Sequence, residues 1–377
     1  MANNNNTKNL NVPNLRFPEF KGEWEDKKLG DLCSEFKSGK NIKSAEILED
    51  GKFPVFGGNG LRGFTHKYNY NGEYVIVGRQ GALCGNVRLV EGKCYMTEHA
   101  IVIQGSEDNN TKFLLYLLDK LNLGQYSDQS AQPGLAVNKL QKIKVTIPSL
   151  SEQNKIASFL FLLDQRIKTQ IKIIEDLKVL QNTLIDYYYH HQRYDKNVSL
   201  FDCISQTSER NKKNNAFPVL SVSNKYGFIQ QIEQFENRKV ASEDISNYKI
   251  VRKNDFAYNP ARINVGSIAK LIKYSNGIVS PMYICFRAKD NFLPDFLEFY
   301  FKSKQFKNEV LKRLEGSVRQ CLPFEGLCDI PVVFPPKEKQ KDIITQLSAI
   351  QTKIEIETTI KELQLKQKQH LLHQMLI

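Results

Sequence analysis

The chain has 377 residues, a hydrophobic fraction of 41% and a formal net charge of +12 at pH 7. This length predicts at least two domains with cores of their own, and the basic balance favours an anionic partner, with nucleic acid first. The seven cysteines form no C-x-x-C pair and no apolar run is long enough to cross a membrane, so a disulfide framework, a zinc site and a membrane protein are disfavoured and a cytoplasmic location is expected.

The chain begins with a polar, Asn-rich tail of about 14 residues, and an ordered segment that contains Trp24 is predicted to pack on the first domain. Residues 54–64 then hold four glycines around Asn59 and Arg62, a composition that permits positive φ angles and close backbone approach to a ligand. This stretch lacks the G-x-x-x-x-G-K-[ST] pattern of a phosphate-binding loop.

The rest of the first half predicts a mixed α/β domain, because short apolar runs alternate with one amphipathic segment. Glu91-Gly92-Lys93 is interpreted as a hairpin turn. The other predicted elements are, in order, a strand at 74–77, a turn rich in polar side chains at 78–88, a strand at 100–103, a helix at 112–121, a polar loop at 130–134 and a strand at 140–147.

One long helix is predicted to begin after Pro148 and to run to about Tyr189. Ser149 is a suitable N-cap, and Glu152 stands three residues later at the spacing of a capping box. Apolar residues recur at alternating spacings of three and four, which is typical of a narrow coiled-coil seam, and Gln170 and Gln181 fill its gaps. The predicted packing residues of this helix are Leu160, Leu163, Ile167, Ile174, Leu177 and Leu184.

The start of this helix recurs later in the chain at a constant offset. Pro148 aligns with Pro335 and Gln153 with Gln340, an offset of 187 in both cases, and a second helical run follows to the C-terminus. Leu347, Ile350 and Ile354 are its predicted packing residues. We therefore predict an α+β protein with two mixed α/β domains, each closed by a long helix, at residues 1–149, 150–192, 193–336 and 337–377.

Motifs for catalysis are weak. Tyr258-Asn259-Pro260-Ala261 is similar to the N-P-P-[FYW] loop of adenine methyltransferases but lacks its second proline and its aromatic residue. His370 and His373 could bind a metal ion, but no third ligand is evident. We predict no catalytic residue, no metal site and no cofactor in this chain.

Side chains suited to DNA recognition concentrate in the predicted loops of both domains. Arginine can pair with guanine and asparagine or glutamine with adenine, while lysine and tyrosine suit phosphates. The candidates in the first domain are Asn59, Arg62, Lys67, Tyr68, Arg79, Gln80, Asn86, Arg88 and Gln132, and those in the second are Asn224, Lys225, Tyr226, Arg262, Asn264, Arg319 and Gln320.

The duplicated I-P-x-L-x-E-Q helix start, the segment Pro13–Phe20 with Trp24, and Gly316-Ser317-Val318-Arg319 resemble the specificity subunit of Type I restriction-modification systems. The resemblance implies two target-recognition domains that each read half of a bipartite, non-palindromic site in double-stranded DNA. It also implies that the long helices pack antiparallel as a spacer and dock methyltransferase subunits, and that restriction subunits join the complex. Use of S-adenosylmethionine, ATP and Mg²⁺ is then expected of those partner subunits.

Two other interpretations remain open at this point. A stand-alone DNA methyltransferase or nuclease would turn over DNA without partners, and a coiled-coil scaffold that binds only proteins would have no affinity for DNA. A steep loss of DNA affinity with rising salt would favour a DNA-binding protein over the scaffold.

Overall fold

The computed structural model describes residues 11–81, 83–127, 134–191, 197–213, 215–231, 244–316, 320–333 and 335–377. The chain forms two compact units. The first holds the residues up to Ile171 together with Thr359–Ile377, and the second holds Lys172–Thr358. Both long helices therefore contribute one segment to each unit.

The first unit is built on a six-stranded sheet. The strands of this unit, in chain order, are β1 (Glu25–Lys28), β2 (Cys33–Ser38), β3 (Phe53–Gly57), β4 (Gly60–Thr65), β5 (Tyr70–Gly78), β6 (Val87–Met96), β7 (Ala100–Gly105) and β8 (Lys144–Ile147). The sheet has the order β2-β7-β5-β6-β3-β4, in which β3 and β6 are parallel and the other neighbours antiparallel. Strands β1 and β8 form a separate antiparallel pair.

Helices cover this sheet and complete the core of the first unit. They are α1 (Thr111–Lys120), α2 (Val137–Gln141) and the first part of α3 (Leu150–Asp186), and α3 continues into a π-helical turn at Tyr187–His191. Phe113, Leu117 and Leu140 are fully buried in the core together with Val75 and Ile103.

Two expectations for the first unit were wrong. Glu91, Gly92 and Lys93 lie inside β6, where Glu91 pairs with Glu73, so they form no hairpin turn. The strand expected from Leu140 begins only at Lys144, because Leu140 belongs to α2 and its apolar side chain fills the core from a helix.

The second unit repeats the plan with shorter strands. Its elements are β9 (Asn197–Ser199), α4 (Leu200–Cys203), β10 (Ile204–Thr207), β11 (Val219–Ser223), β12 (Gly227–Gln230), β13 (Lys249–Arg252), β14 (Phe256–Tyr258), β15 (Ile268–Lys270), β16 (Asn276–Val279), β17 (Ile284–Ala288), α5 (Pro294–Tyr300), α6 (Lys304–Lys312), α7 (Phe324–Cys328), β18 (Pro331–Val333) and α8 (Lys337–Met375). The sheets have the orders β10-β17-β14-β15, β12-β11-β16-β13 and β18-β9.

The pairing of strands reveals the duplication. Strands β9 and β18 pair as β1 and β8 do, and β10 pairs with β17 as β2 pairs with β7. The parallel pair β11 and β16 has its counterpart in β3 and β6. This pattern of strand pairing repeats even though sequence identity between the two halves is low.

The long helices pack antiparallel within each unit. In the first unit, Lys368 near the end of α8 forms an ion pair of 2.6 Å with Asp164 in the first half of α3. In the second unit, Gln181 near the end of α3 donates to Gln351 in the first half of α8 at 3.1 Å. The predicted fold, α+β with two mixed domains and two long antiparallel helices, is confirmed.

The predicted seam positions differ in their burial. Leu160, Ile167, Ile174, Leu347 and Ile354 are buried, whereas Leu163, Leu177, Leu184 and Ile350 are half-buried. Gln170 and Gln181, which interrupt the apolar stripe, are buried as well.

The repeated glutamine makes two equivalent hydrogen bonds in both units. The Gln153 carbonyl accepts from the Asn110 amide next to the start of α1 at 3.0 Å, and the Gln340 carbonyl accepts from the Leu293 amide next to the start of α5 at 3.0 Å. The side-chain NH₂ group of each glutamine also donates a hydrogen bond of 3.0 Å to the backbone carbonyl of the proline five residues earlier, Pro148 or Pro335. Each glutamine thus ties the start of a long helix to the start of the domain helix beside it.

Glu152 does not complete a capping box, contrary to expectation. Its buried carboxylate accepts from the Arg16 guanidinium at 2.7 and 2.8 Å and from the Trp24 indole at 3.3 Å. This contact raises the pKa of Arg16 above its ordinary value. The carboxylate therefore anchors the N-terminal segment, as the prediction of a packed segment around Trp24 requires.

Candidate nucleic-acid interface

Three loops of the first unit meet at one edge of its sheet. They are the β3–β4 turn at Gly58-Asn59, the β5–β6 loop at 79–81 and 83–86, and the β6–β7 turn at Thr97-Glu98-His99. The Arg79 amide donates to the His99 carbonyl at 3.0 Å, and the Thr97 amide donates to the Phe56 carbonyl at 2.9 Å. Backbone bonds therefore fix the three loops to each other.

Glycines on either side of the β3–β4 turn leave room for two arginines. Gly60 has a φ of +98°, and a Cβ there would lie 2.7 Å from Nη1 of Arg88. A Cβ at Gly57 would lie 2.7 Å from Cδ of Arg62. Both arginine side chains therefore rest against the turn, and a side chain at either glycine would displace them.

The structure brings most of the candidates in the first unit together. Asn59, Arg62, Gln80, Asn86 and Arg88 are exposed around the three loops, and Arg79 is half-buried between them. Arginines, asparagines and a glutamine on rigid loops are suited to read base edges in a DNA groove.

Lys67 and Tyr68 lie elsewhere, beyond the opposite end of β4. Lys67 forms an ion pair with Glu46, and the Tyr68 ring packs on Phe53 with a centroid distance of 5.1 Å. They cannot share one small contact with Asn59 because the six residues of β4, about 17–20 Å of strand, lie between. Gln132 lies outside the described residues.

Sequence reasoning missed the third loop. His99 lies between two oxygens, with Nδ1 3.1 Å from Oε1 of Gln80 and Nε2 3.1 Å from Oε1 of Glu98. The contact with Gln80 connects the β6–β7 turn to the β5–β6 loop. No pattern in the sequence indicated a turn at 97–99, because the strand that precedes it, β6, was not predicted.

The second unit places its candidates on equivalent loops. Asn224, Lys225 and Tyr226 form the β11–β12 turn, and Arg262 and Asn264 follow β14. The Asn224 side chain donates to the Val265 carbonyl at 3.3 Å, which joins the two loops. Lys225 lies 4.7 Å from the centre of the Tyr226 ring, and all five side chains are exposed.

Backbone contacts confirm that these loops correspond. The Leu135 amide donates to the Arg79 carbonyl at 2.9 Å in the first unit, and the Leu322 amide donates to the Pro260 carbonyl at 3.0 Å in the second. Gly85 and Gly266 both adopt a φ of +89°. The two edges therefore share these backbone features but present different side chains. Gln320 is exposed near the second edge, and Arg319 lies outside the described residues.

No group of three or more His, Cys, Asp or Glu side chains within the described ranges is placed to hold a metal ion. Along the same ranges, no helix combines the length and the apolar character needed to cross a membrane.

Comparisons with known proteins place the chain in a family. The family described as "Type I restriction modification DNA specificity domain" matches residues 21–178 and 202–366, one stretch in each half. The type I restriction enzyme EcoprrI specificity subunit of Escherichia coli is 41% identical over 150 residues, which cover 39% of this chain and 37% of that protein. The MjaVIII specificity subunit of Methanocaldococcus jannaschii is 23% identical over an alignment that covers 92% of this chain and 90% of that protein.

A solved structure supports the fold over the full length. The S subunit of a Type I restriction-modification system from M. genitalium superimposes on this chain with a TM-score of 0.67. The superposition covers 97% of this chain and 99% of that subunit, at 15% sequence identity. Since the family match includes both halves of the sequence, the chain belongs to the Type I restriction modification DNA specificity family.

Proposed function

We propose that this chain is the DNA-sequence-specificity subunit of a Type I restriction-modification complex, and that it reads a bipartite, non-palindromic site in double-stranded DNA. One observation carries the proposal. Equivalent loops at the sheet edges of both units are fixed by the same backbone bonds, at Leu135 and Leu322, yet present different side chains. Two sheet edges with similar loops but different contact residues suit a DNA site whose two halves differ in sequence.

The chemistry of the edges suits base readout. Arg62 and Arg88 can donate two hydrogen bonds to guanine, and Asn59 and Gln80 can pair with adenine. Lys225 and Tyr226 suit phosphate oxygens at the second edge. The net charge of +12 favours attraction to a polyanion as a whole.

Assembly with other subunits is the second part of the proposal. We assign docking of methyltransferase subunits to α3 and α8, and restriction subunits join the same complex. Exposed apolar side chains on both helices, among them Leu162, Val179 and Leu363, are what supports a protein-binding role there. S-adenosylmethionine, ATP and Mg²⁺ then act in the partner subunits, as does extrusion of the target base for methylation.

A selection from random DNA tests this function. The full chain, assembled with its methyltransferase subunits, is incubated with a random duplex library, and the bound fraction is sequenced. We expect two short defined sequences separated by a fixed number of unspecified bases. Binding without an enriched sequence, or enrichment of one continuous site, would contradict the proposal.

The enzyme interpretation requires a separate measurement. The purified chain alone is incubated with DNA and S-adenosylmethionine, and in parallel with DNA and Mg²⁺. We expect neither methyl transfer nor cleavage. Turnover by the chain alone would support the stand-alone enzyme instead.

A further inference from the structure

A wide groove in the second unit lies beside the β11–β12 turn. Its volume is about 890 Å³, and it extends from that turn along β15 to helices α5 and α6, with Gln181 of α3 and Gln351 of α8 also in its lining. Tyr226 and Ile272 stand at its wall with 66% and 58% of their surface exposed. The groove therefore continues directly from candidate contact residues of the second edge.

The lining of the groove is basic. Five lysines and two glutamates contribute to it, a balance of +3. A groove in the first unit, next to Arg16 and Glu152, has three basic and four acidic lining residues, a balance of −1. The positive charge is thus a property of this groove and not of every concave surface on a basic protein.

Three of the five lysines keep their charge available. Lys270 is buried and pairs with Glu298 at 2.8 Å, and Lys302 pairs with the same carboxylate at 3.2 Å. Lys225, Lys273 and Lys307 are exposed, and among the described residues none of them forms an ion pair. Lys225 and Lys273 instead lie over the rings of Tyr226 and Tyr274, contacts that leave the ammonium charge unopposed.

We propose that this groove binds the phosphate backbone of the DNA next to the half-site that the second unit reads, through Lys225, Lys273 and Lys307. The proposal rests on the function proposed above. A lysine ammonium is suited to phosphate oxygens, and such contacts position a protein on DNA without reading its sequence. The groove is continuous with the β11–β12 turn, so DNA that contacts Tyr226 at the second edge would extend past these lysines.

The test compares two variants of the full chain, assembled with its methyltransferase subunits. One carries Lys225→Ala, Lys273→Ala and Lys307→Ala. The matched control carries Lys21→Ala and Lys27→Ala, which remove exposed lysines from the acidic groove of the first unit. DNA affinity is measured over a range of salt concentrations, and the bound sequences are selected from a random library.

We expect the triple variant to bind every sequence more weakly and to keep the wild-type motif. Its plot of log K against log salt should be less steep by about 2.7, since each lost phosphate contact removes about 0.9. The control should match the wild type in slope and motif.

Three results would overturn the inference. An unchanged slope would mean that the three lysines contact no phosphate. An altered second half-site would mean that they read bases. Normal DNA binding with impaired assembly of the methyltransferase subunits would assign the groove to a protein partner. A wild type without any enriched motif would instead reject the proposed function, which makes the two failures distinguishable.

Discussion

Gln153 and Gln340 explain at the residue scale why the start of the long helix is repeated. Each buried glutamine accepts from a backbone amide beside the domain helix and donates to the proline carbonyl before the long helix, so it connects two elements at once. The repeat in the sequence identified both residues. Their function could not be predicted, because it depends on the Asn110 and Leu293 amides, which are distant in the sequence.

Replacing Gln153 by alanine should destabilise the first unit. The change removes hydrogen bonds to the Asn110 amide and the Pro148 carbonyl, so we expect a loss of about 1–3 kcal/mol in the free energy of unfolding. Gln165→Ala on the exposed face of the same helix is the control and should change stability by less than about 0.5 kcal/mol. Denaturant titration measures the free energy of unfolding of both variants. An equal loss in the two would show that the hydrogen bonds of Gln153 do not stabilise the first unit.

Two glycines with similar backbone angles separate strain from recognition. Gly60 and Gly92 have φ angles of +98° and +85°, but a Cβ at Gly92 would meet nothing within 4 Å, whereas one at Gly60 would meet Arg88. Gly60→Ala and Gly92→Ala should therefore cost a similar amount of stability, about 1–2 kcal/mol for the left-handed conformation.

Only the Gly60→Ala variant should also lose DNA affinity. Displacement of Arg88 is expected to weaken binding of the first half-site by about 1–3 kcal/mol, the contribution of one good arginine–base contact. Binding titrations with the selected DNA check this. If both variants bound DNA equally well, Arg88 would have no part in recognition.

At the scale of elements, the long helices were the most predictable part of the chain. The recurring apolar spacing after Pro148 identifies α3, and the repeated start at Pro335, followed by a run without proline or glycine from Lys337, identifies α8. The structure adds that Gln170 and Gln181 are buried in the stripe, and Gln181 is accommodated there because its side chain donates to Gln351. Helix pairing was thus predictable from pattern, but the polar contacts inside it were not.

Strand β6 was the least predictable element. Gly92 at its centre and the charged residues around it are typical of a turn, yet the strand continues because Gly92 adopts a φ of +85° and still pairs with Gly72. Local composition therefore gave the wrong answer where tertiary pairing decided the conformation. The missed turn at Thr97-Glu98-His99 followed from that error.

Leu160 and Leu162 provide a test of the packing of α3. Leu160 is fully buried in the core of the first unit, while Leu162 is 63% exposed. Leu160→Ala should cost about 2–5 kcal/mol through lost burial and a cavity. Leu162→Ala should cost less than about 0.5 kcal/mol. Thermal unfolding of the two variants measures the difference, and a similar loss in both would contradict the packing described.

At the scale of the whole molecule, duplication was evident from the offset of 187 between the helix starts. The shared pattern of strand pairing was not evident from the sequence, because sequence identity inside the domains is too low to align β3 with β11. The loop positions, by contrast, followed from glycines and polar residues between apolar runs, which is why most candidates in the first unit lie together. The bases they read depend on DNA contacts, which no side-chain list contains.

Under the proposed function, the length of α3 and α8 determines the number of unspecified bases between the half-sites. Seven residues inserted after Ile171 and seven after Thr358 lengthen both helices by about 10 Å. We expect the selected site to gain about three base pairs between unchanged half-sites. Selection from a random library measures the spacing. An unchanged spacing would mean that the helices do not act as a spacer.

The most direct test of independent reading is an exchange of one recognition domain. Residues 15–147 are replaced by the corresponding segment of another member of the family, and methylated sites are sequenced in DNA from a host that carries the hybrid with its methyltransferase subunits. We predict that one half-site changes to that of the donor and that the other half-site stays as in the parent protein. A change in both halves, or in neither, would contradict the account.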